Sequence, residues 1–190
     1  MALRKRIGVM VPSTNTTFEA DFQLVSPRDV TIHGQRLWLT NDAEGQAGMD
    51  RMNGEIEAGA KYLATANVDV IAYGCTTGSF YRGPGYDREM LDTIQKTAGV
   101  PAVAAAPAVV EALRHFGARR VSVATPYPDW NNARLTLKTS WARSLTNMAP
   151  KASGSWLGGS AHFVIKSALT VVISAPWYPG VQSLHLISSP

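Results

Sequence analysis

Residues 68–80 read VDVIAYGCTTGSF, and this stretch decides the fold class. Its first six residues, 68–73, form an apolar run that predicts a strand buried on both faces of a sheet. The run stops at Gly74, and the glycines and prolines that follow predict a loop over residues 74–85. Strands buried on both faces are typical of α/β proteins, in which helices cover a parallel sheet.

The chain on both sides of this stretch alternates strands and helices up to residue 132. The predicted strands cover residues 6–11, 30–39, 68–73, 100–104 and 120–124. One predicted helix opens at residues 13–19, and the others cover residues 52–66, 86–98 and 107–116. Residues 41–48 and 125–132 are predicted to be loops. This alternation predicts βαβ units, and therefore an α/β fold with a mainly parallel sheet flanked by helices.

Two local patterns mark helix ends. Thr16 is followed three residues later by Glu19, which is a capping-box pattern at a helix start. Gly99 follows the last turn of the predicted helix 86–98 and is typical of a C-cap.

Charge divides the chain into two parts. Residues 1–132 carry 13 Lys and Arg against 14 Asp and Glu, whereas residues 133–190 carry five basic residues and no acidic one. The five basic residues are scattered, so we expect no nucleic-acid partner. No apolar run reaches the ~18–20 residues that span a bilayer. The basic and then apolar start, residues 1–11, is too short for a signal peptide, so a cytoplasmic location is expected.

The residue types that bind cofactors are sparse. The chain has one cysteine, Cys75, which excludes an intrachain disulfide and argues against a thiolate-rich metal site. Its four histidines have no metal-ligand spacing, and its glycines match no phosphate-binding motif. We therefore expect neither a metal nor a nucleotide cofactor.

Candidate site residues follow the predicted strands. Ligands of parallel sheets bind beyond the carboxyl ends of the strands, which selects residues 12–17, 74–80 and 125–132. Cys75 is either a nucleophile whose pKa nearby backbone N–H groups lower, or a small buried hydrophobe. Asn15 either donates to a substrate carboxylate or caps a helix. Tyr127 either hydrogen-bonds a carboxylate or packs as a loop aromatic.

Three segments together resemble the maleate cis–trans isomerases of the aspartate/glutamate racemase superfamily, to which arylmalonate decarboxylase also belongs. The segments read VPSTNTT (residues 11–17), YGCTTGSF (residues 73–80) and VATPY (residues 123–127), in the order of the family, and the match covers about residues 5–132.

The resemblance implies a cofactor-independent isomerase in which a cysteine adds to an alkene carbon of maleate, the adduct rotates, and fumarate leaves. It implies that Cys75 is the nucleophile and that a small dicarboxylate substrate is bound. The residues implied to bind that substrate are Pro12, Asn15, Thr76, Thr77 and Tyr127. A homodimer is also expected.

The resemblance also implies two similar α/β domains with an active site between them and a second cysteine in the second domain. We expect a first, racemase-like domain over residues 1–115 and the start of a second over residues 116–190, which departs from the family pattern after about residue 132. Ten of the 58 residues in 133–190 are serine, and none is acidic. Only residues 163–174 could supply one or two strands there.

The missing second cysteine leaves two hypotheses about residues 133–190. They are either the product of a shifted reading frame or another replacement of the second domain, which would weaken or abolish activity, or they are a divergent but genuine C-terminal region. Alternative functions are a racemase or an arylmalonate-type decarboxylase of the same superfamily, or a non-catalytic α/β domain that binds dicarboxylates.

Overall fold

A computed structural model describes residues 5–39, 45–116, 120–124, 129–138, 143–145, 161–165 and 169–173 of the chain, with side chains for residues 5–39, 45–116 and 129–134. The chain divides into two compact units. The first comprises Met1–Phe116 and Tyr127–Trp141, and the second comprises Gly117–Pro126 and Ala142–Pro190. The domain boundary expected between residues 115 and 116 stays a prediction.

The first unit is a four-stranded parallel sheet with helices, as the alternation predicted. Its strands lie in the order β2-β1-β3-β4. In chain order its elements are β1 (Lys5–Pro12), α1 (Phe18–Val25), β2 (Val30–Leu37), α2 (Gly45–Gly54), α3 (Ile56–Thr65), β3 (Val70–Tyr73), α4 (Tyr86–Ala98), β4 (Ala102–Ala104), α5 (Ala105–His115) and α6 (Asp129–Lys138). A short 3-10 helix, Thr77–Ser79, lies between β3 and α4.

Strands β1 and β3 form the centre of this sheet, and their registers align the ends that carry the candidate loops. Met10 pairs with Tyr73 across β1 and β3, and Pro12 pairs with Leu37 across β1 and β2. Val9, Met10 and Val11 are fully buried. A buried strand flanked by parallel neighbours on both sides is what the apolar runs predicted.

Helices α3 and α4 cover one face of the sheet and form the main core with it. Buried residues of this core include Met10, Leu37, Ile71, Tyr73, Met52, Ile56, Leu63, Met90, Ile94 and Cys75. Close packing is visible at Gly8 in β1, where an added Cβ would lie 3.1 Å from the Leu63 side chain of α3. Cys75 is part of this apolar cluster, so the core and the candidate site share residues.

Three predicted boundaries are wrong. Residues 45–48, predicted to be loop, open α2, and the single helix predicted over residues 52–66 is two helices that meet at Glu55. Residues 129–132, also predicted to be loop, form the first turn of α6. The first misread segment, residues 41–48, is polar, and the second, residues 125–132, contains two prolines beside polar residues. A helix start tolerates both types of residue. The predicted C-cap is confirmed, because Gly99 is left-handed with φ 71°.

The second unit contains a mixed sheet. Its strands are β5 (Arg120–Ala124), β6 (Arg143–Leu145), β7 (Ala161–Ile165) and β8 (Leu169–Ile173), in the order β6-β5-β8-β7. Strand β6 is parallel to β5, whereas β8 is antiparallel to both β5 and β7. Residues 163–174, expected to supply one or two strands, contain β8 and most of β7, which begins two residues earlier.

The helices of the described ranges are short. The longest, α4, has 13 residues. None of the helices in these ranges is both long and apolar enough to cross a membrane.

Candidate active site

The loops that follow β1 and β3 lie side by side. The Gly74 amide donates to the Met10 carbonyl at 2.7 Å, which extends the β1–β3 pairing to the start of the second loop. A Cβ on Gly74 would lie 2.9 Å from three atoms of the Phe18 ring, so the first residue of α1 packs directly on that glycine. The structure therefore brings residues 12–18 against the loop that carries Cys75. Tyr127, of the third predicted segment, lies outside the described residues.

Cys75 lies two residues beyond β3, and its side chain is buried. The Gly78 amide donates to its Sγ at 3.3 Å. Burial raises the pKa of the thiol to about 11, against the lowering effect of the Gly78 amide and the Tyr73 hydroxyl. The expectation that backbone donors lower this pKa is correct in the sign of the Gly78 contribution but wrong in the net result. The reason is that desolvation of a thiolate outweighs one N–H donor.

Tyr73 is the last residue of β3, and its phenol lies beside Cys75. Its hydroxyl donates to Asn53 Oδ1 at 2.5 Å, and the Asn53 side chain in turn donates through Nδ2 to the Gly78 carbonyl at 2.8 Å. Burial, followed by the neighbouring Cys75, raises the pKa of Tyr73 well above its ordinary value. The phenol is therefore protonated at neutral pH and acts as a neutral hydrogen-bond group.

Asn15 caps helix α1. Its Oδ1 accepts the backbone N–H groups of Thr17 at 3.0 Å and Phe18 at 2.9 Å, the residue before α1 and the first residue of α1, and so satisfies two amides at the start of the helix. The capping-box prediction for Thr16 and Glu19 is wrong, because Glu19 instead pairs with Arg36 on β2. The structure thus assigns the cap to Asn15, and this capping role occupies the amide oxygen but not Nδ2.

Four further hydrogen bonds hold the loop that carries Asn15. The backbone N–H of Asn15 donates to the carbonyl of the buried Pro12 at 2.9 Å. Arg36 donates through one guanidinium nitrogen to the carbonyls of Ser13 at 3.0 Å and Asn15 at 2.8 Å. The Ser13 hydroxyl donates to the Leu39 carbonyl at 3.0 Å, which ties the loop to the end of β2. The conformation of Asn15 is therefore determined by its neighbours.

Thr76 and Thr77 open the 3-10 helix after Cys75. The Thr76 carbonyl accepts the Ser79 hydroxyl at 2.7 Å. The Thr77 Oγ1 accepts Asn131 Nδ2 of α6 at 3.0 Å. Asn131 is 2% exposed, and its Oδ1 has no hydrogen-bond partner among the described side chains. Asn131 belongs to the candidate segment 125–132, and the structure places it against the loop that carries Cys75.

A polar cluster braces the far end of the same loop. Tyr81 donates to Asp50 Oδ1 at 2.7 Å, and Arg82 pairs with the same carboxylate at 2.5 Å. The hydrogen bonds from Tyr81 and then from Arg82 hold the pKa of Asp50 below its usual value. The Tyr81 and Tyr86 rings meet edge to face at 5.2 Å between centroids. Helix α2 therefore holds the loop at two places, through Asp50 and Asn53.

Sequence reasoning missed Asn53 and Arg36 as parts of this site. Asn53 and Arg36 lie within a helix and a strand, where polar side chains usually face solvent, and their partners are up to 33 residues away along the chain. No local pattern marks such residues. Within the described part of the chain, no group of His, Cys, Asp and Glu side chains has the geometry of a metal site.

These features define a class of protein: an α/β domain that places a buried cysteine just beyond the end of a parallel strand, with a backbone donor on its sulfur. The chain belongs to the arylmalonate decarboxylase family, whose model matches residues 7–145, more than half of the chain. The resemblance to maleate isomerases is confirmed as well. A maleate isomerase of Pseudomonas putida strain KT2440 is 31% identical over 134 residues, which are 64% of this chain and 53% of that protein.

Solved structures agree with the fold. A maleate isomerase variant from Pseudomonas putida, crystallised with maleate, is 26% identical, covers 76% of this chain and 63% of its own, and has a TM-score of 0.69. A Nocardia farcinica maleate cis–trans isomerase with a covalently bound succinylcysteine intermediate is 23% identical, with a TM-score of 0.66 and coverages of 77% and 64%. The racemase-like fold is therefore confirmed. The chain spans about half the length of the curated relatives it matches.

Proposed function

We propose that this chain carries the nucleophile half of a maleate cis–trans isomerase-like site. The observation that supports the proposal most strongly is the position of Cys75, beyond the central strand β3 and with the Gly78 amide on its sulfur, in a chain related to maleate isomerases. The proposed substrate is a small cis-unsaturated dicarboxylate, and the proposed product is its trans isomer.

The chemistry balances without a cofactor. The Cys75 sulfur forms a bond to one alkene carbon, and the π electron pair moves to the other carbon, which takes a proton equivalent to the one that the thiol loses. The carbon–carbon bond is then single and rotates. Loss of the proton and departure of the thiolate re-form the double bond in the trans arrangement. The raised thiol pKa means that the resting cysteine is protonated at neutral pH, so the thiol itself holds the proton that the adduct needs.

The other proposed roles concern the substrate carboxylates. The hydrogen bonds that Asn15 Oδ1 accepts at the start of α1 fix the orientation of its side chain. The side-chain nitrogen Nδ2 is the proposed donor for a substrate carboxylate. The backbone N–H groups of Thr76 and Thr77 are the proposed donors for a carboxylate as well, and Pro12 and Tyr127 complete the proposed substrate contacts. The cytoplasmic location and the homodimer stay predictions from the sequence.

A second candidate function is dicarboxylate binding without turnover. The observations that favour it are the single cysteine in this sequence and the raised pKa of that cysteine. On this proposal the chain retains part of the ancestral site and isomerises maleate weakly or not at all. A racemase or an arylmalonate-type decarboxylase is disfavoured because the first normally requires two opposed cysteines and the second, by resemblance, places its cysteine in the other domain.

The test is incubation of the purified chain with maleate, monitored by ¹H NMR for fumarate and by intact-protein mass for an adduct. Cys75→Ala is the matched control, and circular dichroism establishes that both proteins are folded. Fumarate or an adduct that depends on Cys75 supports the isomerase. Maleate that protects the folded chain against heat, with neither product nor adduct, supports the binding function. The absence of product, adduct and protection contradicts both.

A further inference from the structure

Gly78, the residue that donates to the Cys75 sulfur, is a glycine for a steric reason. A Cβ at this position would overlap the Tyr73 hydroxyl oxygen and would lie 3.0 Å from Met52 Cε and 3.1 Å from Cys75 Sγ. The site therefore requires glycine. Glycine, however, has the least restrained backbone of all residues. A donor carried by a glycine needs other groups to hold it in place.

Asn53 supplies that restraint. Its Nδ2 donates to the Gly78 carbonyl at 2.8 Å and to Tyr86 Oη at 2.9 Å, and its Oδ1 accepts the Tyr73 hydroxyl at 2.5 Å. The Gly78 carbonyl belongs to the peptide after the residue, and the amide that faces Cys75 belongs to the peptide before it. A contact that fixes the carbonyl thus limits rotation of the whole residue, including the amide.

The helix that carries Asn53 is itself held in place. Met52, its neighbour in α2, is fully buried, and the carboxylate of Asp50, one turn earlier, binds Tyr81 and Arg82 from the same loop. Asn53 therefore lies between a braced helix turn and the glycine. Both hydrogens of its amide nitrogen are in use, which determines the orientation of the amide.

We propose that Asn53 is a positioning residue for Cys75: by holding Gly78 it keeps the Gly78 amide on the sulfur and so stabilises the thiolate that attack on a substrate requires. Asn53 acts through Gly78 and does not itself touch the sulfur or the substrate. The proposal rests on the proposed function in taking Cys75 as the nucleophile. Its test measures ionisation of the thiol and not turnover, so a failure of the isomerase proposal and a failure of this one are distinguishable.

The ionisable groups around the sulfur define what the test has to separate. The phenols of Tyr73, Tyr81 and Tyr86 face the same region, and the Asp50–Arg82 ion pair lies on the outer side of Tyr81. Burial raises the pKa of the Tyr73 and Tyr81 phenols, so these two groups are neutral in the pH range in which the experiment starts. The ionised fraction of the Cys75 thiol in the Asn53 variants is then compared with that in Tyr86→Phe. The Tyr86→Phe substitution removes one acceptor of the Asn53 side-chain amide and leaves the hydrogen bond from Asn53 to the Gly78 carbonyl in place.

The experiment is a pH titration of the single cysteine in the full chain. Because the chain has one cysteine, labelling with ¹³Cβ-cysteine yields one resonance, which moves when the thiol ionises whether or not reagents can reach it. With a pKa of about 11, about a quarter of the thiol is ionised at pH 10.5. Losing a hydrogen bond to an ionised acceptor reduces thiolate formation about tenfold, which leaves about 3% ionised.

The expected result is that Asn53→Ala shows this roughly tenfold loss while Tyr86→Phe retains the wild-type titration. A cavity that merely admits water would do the opposite, since hydration lowers the pKa of a buried thiol. An unchanged or increased ionised fraction in Asn53→Ala, or an equal loss in Tyr86→Phe, overturns the proposal.

A second variant covers the case in which Asn53→Ala does not fold. Asn53→Leu keeps the branching of the side chain at Cγ and adds no charge near the sulfur, but it removes the donor to Gly78. A loss of thiolate in Asn53→Leu relative to the wild-type chain supports the proposal, and a titration equal to that of the wild-type chain overturns it.

Discussion

The close contact between Gly78 and Tyr73 predicts how a single methyl group would affect the fold. In Gly78→Ala the new Cβ overlaps the Tyr73 hydroxyl oxygen, which donates to Asn53 at 2.5 Å. Tyr73 is fully buried in the main core and cannot move aside freely. The methyl therefore either strains the core or breaks the hydrogen bond between Tyr73 and Asn53.

The magnitude follows from three contributions. Overpacking of a dense core costs about 1–3 kcal/mol, and the loss of one partly buried hydrogen bond costs about 1 kcal/mol. The reduced entropy of the unfolded chain offsets about 0.7 kcal/mol of this cost. The net expectation is a decrease of about 2 kcal/mol in the free energy of unfolding of Gly78→Ala.

The assay is urea-induced unfolding monitored by far-UV circular dichroism, with a double-mutant cycle as the decisive comparison. Tyr73→Phe removes the oxygen that the methyl would overlap, so Tyr73→Phe/Gly78→Ala should be about as stable as Tyr73→Phe alone. Gly54→Ala is the matched control, because a Cβ on Gly54 meets nothing within 4 Å; we expect it to be neutral or stabilising by less than about 1 kcal/mol. Additive losses in the double variant would refute the steric argument.

Three further predictions follow from the same structure. Alkylation of Cys75 by iodoacetamide should accelerate about tenfold per pH unit between pH 7 and 10 without a plateau, because burial raises the thiol pKa to about 11. A plateau near pH 8 would contradict this prediction, and Cys75→Ser is the control. Asn15→Ala should lower the free energy of unfolding, measured in urea, by about 1 kcal/mol through loss of the α1 cap. Asn15→Asp should retain the cap and most of the stability. Equal losses in both variants would exclude a capping role. The carboxyl of Asp50 has a lowered pKa in the folded chain, so its stabilising effect is present above its ordinary value of 3.8 and disappears as the pH falls through the lower folded value. Urea unfolding at a series of pH values should show wild type and Asp50→Asn differing at pH 6 and converging as the pH falls below 3.8. A difference independent of pH would count against the ion pair.

The local sequence was sufficient for the elements that depend on short-range patterns. The apolar runs over residues 6–11 and 68–73 predicted β1 and β3 because a strand between parallel neighbours is buried on both faces. Gly99 predicted the end of α4 because a left-handed C-cap disfavours any residue with a Cβ. The rule that ligands bind beyond strand ends selected residues 12–17 and 74–80, which the structure brings together.

The boundaries that sequence reasoning misplaced are those at which two signals compete. Glu19 could serve either a capping box with Thr16 or an ion pair across β2, and the structure forms the ion pair with Arg36. Asn15, one residue earlier than the predicted cap, then satisfies the first turn of α1. Which of these arrangements forms depends on the distance between α1 and β2, and that distance is a property of the packed sheet.

Hydrophobic periodicity and chain order are sufficient to predict the parallel α/β fold of the first unit and the place of the single cysteine just beyond a central strand. The ionisation state of that cysteine depends instead on the packed structure. Its raised pKa comes from burial beneath helices that are distant in sequence, and its single backbone donor is held by Asn53, 25 residues from Gly78. Desolvation and hydrogen-bond geometry are set by which groups surround an atom in space, and no local pattern of residues encodes that environment.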